Sequence, residues 1–303
     1  MKNKISFIIP AYNCEKTLCE AVDSIFNGNF QNGDEIIIVN DASSDSTKTV
    51  AEDVCRKYEP FVKLINNEQN KGCPASRNIG IRNSKNEFIF NLDSDDVLEK
   101  DSVDKLKMYL IENNADLATF GEIHYFIKDI KNITHKWLCK TGVLTLSDYL
   151  SGPIVPGGNY IYTKTSWEKI SGYWEYGKGL HEFWGFTLKQ LINKSKIVVM
   201  PGSYYFHRYS HRSLYARESK NIEESIKITN KFIEPIFDIL DDETKIYVKE
   251  NPNWFNNFDK HPLILRDHTK GKTGKIAFVK RIDYIKYRVK NIVRYLVTPF
   301  SRQ

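Results

Sequence analysis

The sequence predicts an α/β protein with a doubly wound, mainly parallel sheet and a helical C-terminal appendage. Short apolar runs alternate with stretches of helical spacing through the first hundred residues, the pattern of strands joined by crossover helices. One run, FIFNLDSDDVL at residues 88–98, passes abruptly into acids, so Asp93, Asp95 and Asp96 belong at a strand's C-terminal edge. That edge is where open α/β sheets bind ligands. The last thirty or so residues change character again and carry basic residues on an amphipathic helical pattern.

In chain order, residues 5–9 read as a buried strand stopped by Pro10, and residues 15–26 carry Leu18, Ala21, Val22, Ile25 and Phe26 at helical spacing. A second strand spans 35–39, and Asp45 or Ser46 can cap the helix that follows through Val50, Val54 and Tyr58. Residues 62–66 form a third strand, 75–83 a third helix and 88–92 a fourth strand. The polar segment 124–140 and SGPIVPGGN at 151–159 read as loops over a cleft, and 197–200 returns to strand. Residues 221–240 place Ile222, Ile226, Phe232, Ile233 and Ile236 on one helical face, which needs a partner surface.

A chain of 303 residues can bury a full core. Its five cysteines are odd in number and lack metal-ligand spacing, which suits a reduced, cytoplasmic setting with packing cysteines. The apolar run at the start is broken by Pro10 and is too brief for a signal peptide or a membrane span. Net charge is +6, concentrated near the end of the chain.

Carboxylates as close as Asp93, Asp95 and Asp96 repel one another, and a site that keeps them ionised usually holds a cation. Mg²⁺ or Mn²⁺ would suit, and either would suit a diphosphate. The alternative is a strand-to-helix turn in which Asp95 or Asp96 caps the next helix. A nicotinamide dinucleotide site is excluded at the first turn, since PAYNCEK has no glycine through which backbone could approach a pyrophosphate.

Four segments, FIIPAYN (7–13), EIIIVNDASSDST (35–47), NEQNKGCPASRNIGI (67–81) and FNLDSDDVLEKDSV (90–103), resemble the family 2 glycosyltransferases in order and spacing. The resemblance is strong over about 120 residues, weaker to about Ser213 and absent beyond. It implies a GT-A fold and inverting transfer of a sugar from a nucleotide sugar, with a UDP-sugar expected, to a glycan or lipid-linked glycan. Synthesis of a bacterial surface polysaccharide is the expected setting. The implied domains are 1–215, with 1–120 binding the nucleotide sugar and 121–215 forming the acceptor side, and a helical extension over 216–303.

By that resemblance Pro10, Ala11 and Tyr12 line the base pocket, and Asp41 accepts from a uracil-like ring N–H. Asn40 stands where the family usually has a first acid; Asp41 could instead be a turn-forming Asx residue. Arg77, in the first turns of a helix, can reach phosphate or Asp93, or pair as a surface arginine with a nearby acid. Asp93 falls near the ribose, Ser94 near the nucleotide and Asp95 on the metal, while Asp96 either shares the metal or caps a helix. His207, after an aromatic run, is the expected second metal ligand with His211 as alternate; Arg208 and Arg212 face phosphate or solvent.

Inverting transfer needs a base for the acceptor hydroxyl. The family's Glu-Asp pair maps to Glu182 and Phe183, which leaves Glu182 as base, His181 as fallback, or a catalytically silent nucleotide-sugar-binding protein. Residues 275–297 form a basic amphipathic helix expected to lie on an anionic membrane surface at the inner face of the cell membrane, unless it docks on the chain's own core or on a dimer partner. Nucleic acid is not an expected partner, because no recognition fold accompanies the basic residues.

Overall fold

A computed structural model of the chain describes residues 3–146, 149, 158–176, 179, 181–209, 221–240 and 242–250. The expected membrane-surface helix at 275–297, His211, Arg212 and most of the 151–159 loop lie outside the described residues. Contacts divide the chain into two units, residues 1–146 with 154–239, and residues 147–153 with 240–303.

The first unit begins as β1 (Ile5–Ala11), α1 (Leu18–Phe26), β2 (Glu35–Asn40), α2 (Thr47–Lys57), β3 (Val62–Asn66), α3 (Cys73–Arg82) and β4 (Phe88–Asn91). It continues with β5 (Val97–Leu98), α4 (Ser102–Glu112), β6 (Leu117–Phe126), β7 (His135–Leu138), β8 (Gly142–Leu144) and β9 (Tyr160–Thr163). Helices α5 (Lys164–Lys169) and α6 (Glu182–Ile192), strand β10 (Ile197–Arg208), helix α7 (Ile222–Ile233) and a 3₁₀ turn at Glu234–Ile239 complete it. The second unit contains α8 (Asp242–Glu250). Among the described residues no helix is long and apolar enough to cross a membrane.

The strands form one sheet in the order β3-β2-β1-β4-β9-β6-β10-β5, with β7 on β6 and β8 on β10. Pairing is parallel through β3, β2, β1 and β4, as the alternating pattern requires. Beyond β4 the sheet is mixed: β9 runs antiparallel to both β4 and β6, while β10 is again parallel to β6. The chain moves outward from β1 to β2 and β3, then returns to the other side of β1 as β4. The strand order therefore reverses between β1 and β4, and the crevice beyond their C-terminal ends is the ligand position such a sheet creates.

Pro10 does not stop β1. The strand continues to Ala11, with Pro10 opposite Val39 and Ala11 opposite Asn40. The Ile8 carbonyl accepts from Leu92 N (3.0 Å), so the even-numbered residues bond toward β4. Strand β4 ends at Asn91, opposite Ile8. The N–H that Pro10 lacks would thus point where no ladder remains, which is how a proline fits inside a sheet.

Every residue of β1 and β2 is buried, and the core runs continuously under α1, α2 and α4. Helix α3 lies unusually close to the sheet: a methyl group on Gly80 would come within 2.6 Å of Ile8 Cγ2. The start of α3 is marked by two residues. Gly72, at φ 89°, makes the left-handed turn before it, and Pro74 sits in its first turn. Gly185 permits a similarly close approach on α6, since a methyl there would meet the Phe232 ring at 2.6 Å. Helix α7 and the 3₁₀ turn after it pack into the first unit, with Ile228, Phe232, Ile233 and Ile236 buried.

Candidate active site

The acids after β4 are not helix caps. Strand β5 separates them from α4, whose N-cap is Asp101. Because Leu98 pairs with Tyr205 and Val97 with Phe206, β10 is held against this segment and His207 and Arg208 lie beside Asp96. Asp96 is fully buried. It accepts from Asn159 Nδ2 (2.7 Å), from Arg208 N (3.0 Å) and from His207 Nδ1 (3.0 Å). Asn159, also fully buried, accepts from Asp93 N at 3.1 Å, so one amide ties the acidic turn at two points. Sequence reasoning missed Asn159 as a site residue; the only signal was its position at the end of a Gly- and Pro-rich loop, directly before an apolar strand.

Arg208 is not aimed at solvent. Its Nε donates to the Asp95 carbonyl (2.9 Å), its other nitrogens reach Ile127 O and Glu20, and its guanidinium lies 4.4 Å from the Phe126 ring centre. It braces the acidic turn.

Arg77 is the hub of the cleft. At 1% exposure, its two terminal nitrogens bond Asp93 Oδ1 and Glu182 Oε1, spanning from the end of β4 to the start of α6. A buried guanidinium with two carboxylates suits its planar fork. The Tyr173 ring lies 5.6 Å away, and the Tyr173 hydroxyl joins Tyr160 (2.9 Å) and Asn91 in a buried polar floor. One residue along α3, Asn78 uses both donors and both acceptors, giving to Tyr173 O and Glu175 and accepting from Trp167 Nε1 and Tyr173 N. That clamp holds the 173–175 segment to α3. Glu182 Oε2 is wholly buried, and the Cys73 thiol hydrogen-bonds the Glu182 carboxylate; Arg77 Nε, also buried, has no hydrogen-bond partner.

Burial raises Glu182 above the usual carboxylate range, with Arg77 opposing and Asp93 adding to the rise. Burial likewise raises Asp93 despite Arg77. Asp95 is pushed up to about 7, by burial first and then by repulsion from Asp96 and Asp93. Burial would lower His207, yet Asp96, with Asp95 and Asp93 behind it, lifts the imidazole to about 9. His181, the fallback base, is 3% exposed with Nε2 3.0 Å from Ser225 Oγ, and burial lowers it to about 4. It packs, with φ 58°, at the N-cap of α6.

On the β1–β2 side, Tyr12 is 44% exposed just beyond β1, whereas Pro10 and Ala11 are buried in the strand. Asp41 is 2% exposed. Its oxygens accept from Lys71 N (2.9 Å), Gly72 N (2.8 Å) and Asn67 Nδ2 (2.8 Å). Its carboxylate therefore closes the loop that leads into α3. Asn40 bonds Asn66 and Ser43 N instead of facing the crevice alone. Ser94 is partly exposed and lies against the Cys14 thiol. All five cysteines are free.

Among the described residues no three His, Cys, Asp or Glu side chains are grouped to hold a metal ion. The donor set nevertheless fits a divalent cation shared with a phosphate ligand, which needs only one or two protein ligands. Asp95 offers a carboxylate. His207 gives its Nδ1 hydrogen to Asp96, the carboxylate–imidazole arrangement that orients a ligating Nε2.

The Glycosyl transferase family 2 model matches residues 6–171, more than half of the chain, and the chain belongs to this family. Among curated relatives, the poly(ribitol-phosphate) beta-N-acetylglucosaminyltransferase TarP of Staphylococcus aureus is 36% identical over 116 residues, 38% of this chain and 35% of TarP. A poly(ribitol-phosphate) beta-glucosyltransferase of Bacillus spizizenii is 35% identical over 121 residues, 40% of this chain and 19% of that protein. Across the curated relatives it matches, the alignments span between 16% and 43% of the relative's length. The structure of S. aureus TarS 1-349 superposes with a TM-score of 0.61 at 21% identity, covering 85% of this chain and 74% of that one. The same TarS fragment has been solved with UDP-GlcNAc, where the TM-score is 0.59 at 22% identity over 76% of this chain and 66% of that one.

Proposed function

We propose that this protein is an inverting glycosyltransferase that takes a sugar from a nucleotide sugar, a UDP-sugar by analogy with TarS, and passes it to a glycan or lipid-linked glycan in surface-polymer synthesis. The observation that carries the reading is the Arg77 fork. It sets the buried carboxylate of Glu182 beside Asp93, where the strand order reverses. Tyr12 offers an exposed aromatic face to a base, and Asp41, fixed by Lys71 N, Gly72 N and Asn67, shapes the loop behind it. Pro10 and Ala11 form the backbone wall of that pocket, with Ser94 and Asp93 toward the ribose.

Asp95 and His207 would hold Mg²⁺ or Mn²⁺, and Asp96 orients His207. Such an ion supplies Lewis-acid help to a departing diphosphate. Glu182 is the base that takes the acceptor hydroxyl's proton. The competing reading is a silent nucleotide-sugar binder, favoured by Phe183 in the place of the family's acid.

Two experiments test this. The full chain, given UDP-GlcNAc or UDP-glucose with Mn²⁺ and a mixture of glycan acceptors, is expected to release UDP. Asp95→Ala should lose that turnover by more than a hundredfold with its circular dichroism unchanged. Full activity in Asp95→Ala, or in excess chelator, removes the metal from the scheme; calorimetric binding of UDP without release against any acceptor supports the silent binder. For residues 275–297 we propose reversible attachment to an anionic membrane surface, each basic residue there contributing about 1 kcal/mol. The full chain should sediment with phosphatidylserine vesicles at low salt, and a chain ending at Gly274 should not. Equal sedimentation of the two would refute the attachment.

A further inference from the structure

We infer that Cys73 is a positioning residue for Glu182: together with Arg77 its thiol fixes the carboxylate, and as a weak donor it leaves that carboxylate able to take a proton. The inference rests on the reading of Glu182 as the base. Cys73 opens α3 and Arg77 follows four residues later, so the two side chains stand one turn apart on the same helix face. Both reach α6: Arg77 bonds Glu182 Oε1, and the Cys73 thiol hydrogen-bonds the same carboxylate. Oε2 is wholly buried and the side chain is 9% exposed, which leaves solvent little part in holding it. The thiol is itself held in place. Asp41 accepts from Lys71 N and Gly72 N, the two residues before Cys73, and Gly72 turns the chain into the helix at φ 89°.

A sulfur donor has a consequence for the base. Each hydrogen bond given to a carboxylate stabilises its charged form and makes it less ready to take a proton. Arg77 already acts in this way as an ion pair. A hydroxyl at position 73 would add a second strong donor, whereas S–H is a weak one. Burial pushes the Cys73 thiol well above its ordinary range, with Arg77 opposing and Glu182 and Asp93 adding to the rise, so the thiol stays protonated and keeps its donor hydrogen. For the same reason it is no nucleophile. Among the described residues, the other charged or titratable groups that face Glu182 are Asp93, after β4, and Tyr160, on β9. Burial keeps the Tyr160 phenol neutral, and Asp93 repels the carboxylate charge. His181, beside Glu182 in sequence, bonds Ser225. Cys73 and Arg77 are therefore the two donors that act on the base.

The test joins infrared spectroscopy to kinetics on the full chain. The difference spectrum of wild type minus Cys73→Ala isolates the S–H stretching band of Cys73, whose frequency falls as the acceptor strengthens. In a Glu182→Gln background that band should move to higher frequency, because an amide accepts more weakly than a carboxylate. For UDP release, Cys73→Ala should move the acidic limb of kcat upward by about half a pH unit, since losing a donor to the charged form raises the carboxyl pKa. Donor KM should stay within about twofold of wild type. Cys73→Ser should move the limb downward, because a hydroxyl is the stronger donor. A packing role would alter stability or KM without shifting the limb in opposite directions. The positioning role is overturned by an S–H band that ignores Glu182→Gln, by an unmoved limb in Cys73→Ala, or by a serine variant that moves the limb as alanine does. Loss of UDP affinity in both variants, measured by calorimetry, makes Cys73 a packing residue and also ends the proposal. Full kcat in Glu182→Gln, or a wild type that releases no UDP, instead overturns the reading on which the role rests, whatever the S–H band does.

Discussion

Glu182→Gln is expected to lower kcat by about 10²–10⁴-fold while leaving donor KM within about threefold, the signature of a lost general base. Glutamine keeps the shape and can still accept from Arg77 through its carbonyl oxygen. Its amide would occupy the position of Oε2 and cannot take a proton. The loss corresponds to about 3–5 kcal/mol of transition-state stabilisation. The pH profile offers an independent check. A base must be ionised to act, and burial lifts Glu182 above the ordinary carboxylate range against the pull of Arg77. Activity should therefore rise with pH along a limb centred above the usual glutamate value of about 4.3, and that limb should be missing from the residual activity of the glutamine variant. More than half of wild-type kcat in Glu182→Gln, or an unchanged acidic limb, would move the base elsewhere and leave Glu182 as a partner of Arg77 alone.

The parallel half of the sheet was legible because each element there is encoded locally. Apolar runs of four to seven residues, the Gly72–Pro74 helix start and the acids after Phe90 all declare themselves within a few positions. The antiparallel additions were not, since β7, β8 and β9 are short and their pairing is set by contacts far along the chain. The same distinction runs through the site. Asp93, Arg77 and Glu182 were singled out by resemblance, but that one guanidinium joins the other two depends on α3 and α6 packing at glycine-sized distances from Ile8 and Phe232. Asp96 shows the limit most plainly. Its neighbours in sequence are acids, which suggests a metal, yet its partners in space are Asn159, His207 and Arg208, which make it the anchor of the turn. Asp41 likewise reads as a ligand from its motif and is held in the structure by Asn67 and two backbone N–H groups.

Arg77→Met is expected to cost about 3–5 kcal/mol of folding stability, because it removes the only cation bonded to Glu182 and Asp93 among the described residues and leaves two carboxylates beside an apolar chain. Single-domain stabilities are about 5–15 kcal/mol, so a deficit of this size should move the urea midpoint well outside experimental scatter. Its pH dependence has a definite sign. Both carboxylates already stand above their unfolded values in the intact protein, so the folded state binds the extra protons; their contribution is fully present below the unfolded pKa and is lost as pH rises through the folded one. Without the guanidinium both groups rise further, because burial then acts unopposed. The deficit of Arg77→Met relative to wild type should accordingly be largest near pH 8 and shrink toward pH 5, where protonation removes the buried charges. Arg77→Lys should fall between the two at every pH, since one ammonium cannot reproduce a fork that reaches both acids. Equal urea midpoints for wild type and Arg77→Met at pH 8, or a deficit that grows on acidification, would show that Asp93 and Glu182 are solvated in the folded protein and that the fork does not hold the cleft together.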